Sequence, residues 1–274
     1  MELLINYSNR FFSLLFLPFE RMRPEYALFA ISAVTGVVML YLYKWTSNQK
    51  ALGAVQQKIK AGILEIQLYK NDIYVMLRAL ARVFRRNMTY LKLLLPPALA
   101  LMAIVALIVV QMYPRFQYRP LRPGEGAVVK AALTVWPEDA AASVRLSVPE
   151  GVTVEAGPVA VPARQELSWR IRADRGGEYP VTVEAGRETQ AITLSAGGGL
   201  AAVTPSRAPL GLGSYLASPA ATPIPPGSAF TGIAIKYPER DIRSPLMLGM
   251  GWIVYFFVAS FLVALAAKFA FKVK

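Results

Sequence analysis

Residues 46–92 read TSNQKALGAVQQKIKAGILEIQLYKNDIYVMLRALARVFRRNMTYLK. The stretch lies between two uncharged apolar runs, residues 26–43 and 93–113. Counting Lys44 at its edge, it holds ten Lys/Arg against two acids, Glu65 and Asp72. In its first half Leu52, Val55, Ile59, Ile63 and Ile66 recur every three or four residues. In its second half Ile73, Leu77, Leu80, Phe84, Met88 and Leu91 do the same. A 3.6-residue period places each set on one helix face. The polar break at 69–72 separates the two helices, and Asn71 or Asp72 is placed to cap the second. The pattern predicts a basic helical hairpin whose two apolar stripes form its seam. Two uses remain open: the stripes simply zip the arms together, or a partner also docks on the hairpin or its basic face. Arg82, Arg85 and Arg86, next to the second apolar run, are candidate contacts for anionic lipid headgroups.

Working outward, each flanking run is long enough to cross a bilayer. Residues 26–43, closed by Tyr41, Tyr43, Lys44 and Trp45, extend about 27 Å as a helix. Within them Ser32, Thr35 and Gly36 suit close packing against another helix. Residues 93–113 form the second span, with Pro96 and Pro97 in its first turn and Pro114 as its stop. Residues 246–267 form the third, and a tail with Lys268, Lys272 and Lys274 follows. Short basic loops stay on the cytoplasmic side. The hairpin and the tail therefore share that side, and three spans bring them there together. This places the N-terminus and the segment between the second and third spans outside. The predicted setting is the inner membrane of a bacterium.

Before the first span, residues 1–23 pattern as an amphipathic helix ending near Pro18. It either lies in the membrane interface or packs on another subunit. Phe11, Phe12 and Leu15 on its apolar face are candidate partner contacts.

Beyond a Pro- and Arg-rich linker, residues 114–126, the period changes to two. Short strands are predicted at 128–135, 143–148, 152–155, 166–173, 179–184 and 189–194, separated by turn residues. Leu167, Trp169 and Ile171 alternate with Ser168, Arg170 and Arg172, so one face is buried. Residues 127–196 thus predict a small immunoglobulin-like β-sandwich with Trp169 in its core. Residues 197–245, rich in Gly, Pro, Ser and Ala, predict an irregular segment, loose or held extended against a partner. Tyr215 and Leu216 in it are candidate partner contacts, and Ile233, Ile235 and Tyr237 suggest a returning strand.

The fold class is therefore a membrane protein of α+β type: three transmembrane helices, a cytoplasmic helical hairpin and an extracytoplasmic sandwich. Its 274 residues have a mean hydropathy of +0.39 and a formal net charge of +13. The charge is uneven, since residues 114–245 hold 14 basic and 12 acidic residues. Positive charge beside membrane spans points to anionic lipid and topology rather than to nucleic acid. The chain has no Cys and no His. It therefore cannot form disulfides, thiolate or imidazole metal sites, His-ligated haem or pigment sites, or a His general base. The acidic pairs Glu138/Asp139 and Glu184/Glu188 fall at turns and strand ends, where solvated acids are ordinary. No span carries the charge that a transport path uses. No catalytic, metal-binding or cofactor-binding residues are expected, and no cofactor.

The order of outside N-terminus, span, cytoplasmic hairpin, span, outer segment and span resembles the three-helix core of the YidC/Oxa membrane-protein insertase superfamily. The matching parts are residues 26–43, 46–92, 93–113 and 246–267. Two features differ: no span carries the basic groove residue of bacterial insertases, and the sandwich is not part of that core. Two functions follow. The first is a non-catalytic accessory or scaffolding subunit that bridges other membrane-protein subunits, in an assembly such as a respiratory or photosynthetic complex. The second, implied by the resemblance, is an insertase or chaperone using the hairpin.

Overall fold

The computed structural model describes residues 10, 12, 14–19, 22–219, 221–242 and 249–270. The chain forms two compact units, Met1–Ala27 with Ile108–Trp252, and Leu28–Leu107 with Ile253–Lys274. Among the described residues three helices are long and apolar enough to cross a membrane: α1 (Pro24–Thr46), α3 (Ile73–Phe116) and α6 (Trp252–Ala270).

In the second unit, α1 and α6 approach closely where Gly36 meets Ser260. A Cβ at Gly36 would collide with the Ser260 carbonyl oxygen. Ser32 and Thr35 are buried on the same part of α1, and the Ser32 hydroxyl donates to the Leu28 carbonyl at 2.7 Å. The small residues thus bring two backbones together, as their sizes predict. Helix α6 begins at Trp252 rather than at residue 246. Gly249, with φ +73°, lies in a turn before it, and 243–248 lie outside the described residues.

The hairpin is formed by α2 (Gln49–Leu68) and the first part of α3. Asn48 caps α2, accepting from the Ala51 amide at 3.0 Å. Asp72, not Asn71, caps α3, accepting from the amides of Tyr74 and Val75 at 3.0 and 3.1 Å. The second arm and second span are one helix of 44 residues, about 66 Å long. It runs through Pro96 and Pro97 and past Pro114 to Phe116, so neither site breaks it as expected.

The expected seam is only half present. On α2, Leu52 is buried and Val55, Ile59 and Ile66 are half-buried. The six apolar residues of the second arm all face away from α2 and are exposed. The contact face of α3 is instead Ala79, Val83 and the stems of Arg82 and Arg86, with Tyr90 farther along. Gly62 decides this: a Cβ there would lie 2.5 Å from Val83 Cγ2, so the arms touch at a glycine. Small residues and polar hooks hold the hairpin. Arg82 pairs with Glu65, Arg86 Nη1 donates to the Lys58 carbonyl at 2.6 Å, and Gln56 Nε2 donates to Tyr90 Oη at 3.2 Å.

The first unit holds a sandwich-like pair of antiparallel sheets. The strands are β1 (Gly126–Leu133), β2 (Val144–Ser147), β3 (Val152–Val161), β4 (Glu166–Ala173), β5 (Gly177–Ala185), β6 (Glu188–Ala196), β7 (Ser206–Arg207) and β8 (Phe230–Lys236). Two short helices, α4 (Ala140–Ser143) and α5 (Leu212–Ala217), interrupt them. One sheet has the order β3-β4-β1-β8-β7 and the other β2-β5-β6. Period-two alternation predicts the inward faces, and β1 and β4 keep strict alternation. Register aligns Ile235, Val129 and Trp169 in one row across three strands, and Ile233, Ala131 and Leu167 in the next. These pack with Val181, Val183, Ile192 and Leu194 of the second sheet in one core. Trp169 is in that core, as expected. Residues 197–219 and 221–232 are not loose: they fold back over the sandwich and bury Leu200, Val203, Ile224 and Phe230.

Candidate interaction surfaces

The hairpin presents the most distinctive surface. Ile73, Leu77, Leu80, Phe84, Met88 and Leu91 are each 38–69 % exposed on one face of α3. Leu95, Leu99 and Met102 continue the same face toward the span and are also exposed. Of the three arginines proposed for headgroup contacts, Arg82 is engaged by Glu65 and Arg86 by the Lys58 carbonyl. Arg85 is exposed, and its guanidinium has no ion pair among the described residues. The sequence displays the stripe but not its direction. Leu and Ile at seam spacing look the same whether they face a partner arm or solvent. The signal that would have settled it is Gly62 with Ala79, the small residues that let two helices touch.

The N-terminal element is fixed to the far end of α3. Phe16 is buried, with the Arg115 guanidinium 4.5 Å from its ring centroid, and Arg115 Nη1 donates to the Gln111 carbonyl at 3.1 Å. Phe12 stacks on Phe16 at 6.4 Å and is itself buried. Phe12 is therefore an internal contact rather than a partner contact, because an aromatic already bound within the chain offers no free face. Leu15 is half exposed, with Leu14 and Leu17 more so. Phe11 lies outside the described residues. Tyr215 is half-buried and Leu216 half exposed on α5. The two are not brought near the N-terminal element by any contact described.

The base of the sandwich is a polar lock between its two connections. Tyr118 and Glu239 form a bridge, with Arg119 N–H donating to the Pro238 carbonyl at 3.1 Å and Arg240 N–H to the Gln117 carbonyl at 2.9 Å. Leu121 then exchanges backbone hydrogen bonds with the end of β6, at Ser195 and Gly197. Arg119 grips Glu125 with two bonds of 2.7 Å, and the Arg122 amide adds a third at 2.8 Å. This pair holds the Glu125 carboxyl well below its ordinary value, down to about 2. Arg240 donates to the Tyr118 and Gly199 carbonyls, and burial lowers its pKa to about 10, so it stays charged.

In the acidic pairs Glu138/Asp139 and Glu184/Glu188, Asp139 and Glu188 have local partners. Asp139 caps α4 through the Ala142 amide at 3.3 Å. Glu188 accepts from the Ser228 hydroxyl, from the Ala229 amide at 2.7 Å and from Gln190 at 3.0 Å, which lowers its pKa. It pins the 227–229 turn to the β5–β6 hairpin. Register sets Glu184 opposite Thr189, not Glu188. Among the described residues no three acids converge on one point. A cavity of about 500 Å³ lies beside Glu188, lined by Leu133, Val135, Val144 and Ala229 among others. Among its described lining residues Glu188 is the one charged group, and it already accepts from Ser228, Ala229 and Gln190.

No protein-family model, curated protein or solved structure matches the chain.

Proposed function

We propose that the chain is a non-catalytic accessory or scaffolding subunit of a larger membrane-protein complex. The observation that carries this reading is the outward stripe of α3, which is exposed and uncovered among the described residues. An exposed apolar face of this length marks an interaction surface. The lock at the sandwich base adds to it, because a domain whose entry and exit are held together presents one fixed surface to whatever it binds. Anionic lipids remain expected partners at Arg85. In this reading the sandwich is an immunoglobulin-like binding module outside the cytoplasm of a bacterium, and the hairpin and tail are cytoplasmic. The Phe16–Arg115 contact supports that arrangement, since it sets the N-terminal element at the sandwich end of α3.

Mild-detergent purification followed by native mass measurement tests the subunit reading. The expected result is a stoichiometric assembly with other membrane proteins. A chain that migrates alone overturns it. Topology is tested by inserting a reporter enzyme, active only outside the cytoplasm, at the β5–β6 turn at Gly186. It is expected to be active there and silent in the turn at residues 69–71.

A second reading is an insertase- or chaperone-like protein. It is favoured by the observed order of α1, an α2–α3 hairpin, the α3 span and α6, which keeps the layout of that superfamily. Here the exposed stripe would receive clients transiently. Crosslinking from α3 to nascent chains, with no stable partner, is the result that would favour it.

A further inference from the structure

We propose that the outward face of α3 docks one helix of a different membrane protein, apolar along its face and edged by carboxylates at seven-residue intervals. The inference rests on the subunit reading above and names the chemistry of the partner. The stripe from Ile73 to Met102 keeps one helix face for about 45 Å. With residues 93–113 in the hydrocarbon, lipid covers the stripe from Leu95 onward. Ile73 to Phe84 then lie about 13–30 Å beyond the hydrocarbon on a continuous helix, out of reach of the roughly 5–8 Å headgroup layer. Only a protein surface can cover Ile73, Leu77, Leu80 and Phe84. A helix that follows α3 out of the membrane meets this requirement with the same face throughout.

Charge specifies that helix further. Arg78, Arg85 and Lys92 are exposed and spaced by seven residues, so they form one row along the edge of the stripe. None has an ion pair among the described residues. The two acids of the hairpin are already used, Glu65 by Arg82 and Asp72 by the cap. All of the free charge is positive. A second copy would set nine Lys/Arg and two acids of residues 46–92 against the same set. That repulsion excludes self-pairing and selects an acidic edge. Nucleic acid would satisfy the charges but leave the Leu, Ile and Phe face in water.

The test uses the full chain in its native membrane, with benzoylphenylalanine placed at Leu77 or Phe84 and, as control, at the exposed Gln57 of α2. Irradiation is expected to give one heterologous protein adduct at least fivefold above the control. The sequenced crosslinked peptide should carry an apolar stripe beside acids seven residues apart. The combined change Arg78→Glu, Arg85→Glu and Lys92→Glu should cut the yield about tenfold, and reversing the partner's acids to Lys should restore it. The milder Arg78→Gln, Arg85→Gln and Lys92→Gln set should cut it by an intermediate factor. Adducts to lipid, to nucleic acid or to a second copy overturn the proposal, as does a peptide without the acid row. A stoichiometric complex with no α3 crosslink sinks the docking proposal and leaves the subunit reading standing; a chain that migrates alone sinks both.

Discussion

The Trp252 indole Nε1–H donates to Gln117 Oε1 at 3.0 Å. The donor opens α6 and the acceptor follows the last turn of α3, so one hydrogen bond ties the entry and exit of the sandwich. The indole also stacks on Phe116, with ring centroids 6.0 Å apart, and Trp252 is buried. Trp is suited to this place because it joins a large apolar face to one donor.

Replacing Trp252 should therefore loosen the base of the sandwich. Trp252→Phe keeps most of the ring contact and loses the donor, at a cost of about 1 kcal/mol. Trp252→Ala also leaves a cavity against Phe116 and should cost about 3 kcal/mol. Thermal unfolding of the purified protein in detergent, followed by near-ultraviolet circular dichroism, reads both. Equal midpoints for Trp252→Ala and wild type would show that the lock contributes nothing to stability.

Two glycine substitutions should act in opposite directions. Gly53, within α2, has no atom within 4 Å of an added Cβ, so Gly53→Ala should stabilise by about 0.5–1 kcal/mol through backbone entropy. Gly36 meets the Ser260 backbone, and Gly36→Ala must push α1 and α6 apart. The Gly36 variant should melt lower than wild type and the Gly53 variant higher. Matching upward shifts would mean that α1 and α6 are not in contact at Gly36.

Much of this architecture is legible in the sequence, because period and composition report burial directly. Strand β4 was predicted at 166–173 and lies at Glu166–Ala173. The break at residues 69–72 and the three long apolar helices also follow from pattern alone. What pattern cannot give is direction. The residues Ile73 to Leu91 have seam spacing, yet Gly62 and Ala79 bring the arms together on the opposite face. Proline is a second source of error. Pro96, Pro97 and Pro114 read as boundaries, but the helix continues through them. The Gly- and Pro-rich stretch after β6 reads as irregular, loose or held extended against a partner, because its buried residues, Leu200, Val203 and Ile224, are too widely spaced to show a period. The candidate surfaces fared accordingly: Leu15 and Leu216 are exposed, while Phe12 is buried.

Glu125 gives the sandwich base a defined acid limit. Its carboxyl titrates at about 2 in the folded chain, against 4.5 ordinarily, because Arg119 and the Arg122 amide favour the charged form. A folded-state value below the unfolded one stabilises the protein fully above pH 4.5, and the stabilisation is lost as pH falls toward 2. Glu125→Gln should lower stability at pH 7 by about 1 kcal/mol, a modest figure because the pair is partly open to solvent. The difference from wild type should shrink through that window and vanish near its lower end. Denaturant titrations at several pH values measure it, and a difference that stays constant with pH would exclude Glu125 as its source.

The two sheets are pinned at one buried hydroxyl. Tyr237 Oη, just beyond β8, accepts from the Ser195 amide of β6 at 2.9 Å and donates to the Thr193 carbonyl at 3.2 Å. Burial pushes its pKa up to about 12, so the phenol stays neutral and can do both. Tyr237→Phe keeps the ring in the core and strands the Ser195 N–H, which is itself buried. An unmatched buried donor costs about 1–3 kcal/mol. The variant should unfold at lower denaturant with an unchanged slope, and the Ser195 amide should exchange its hydrogen faster than its neighbours in β6. If the Ser195 amide keeps wild-type protection in the variant, the hydroxyl is not what joins the sheets.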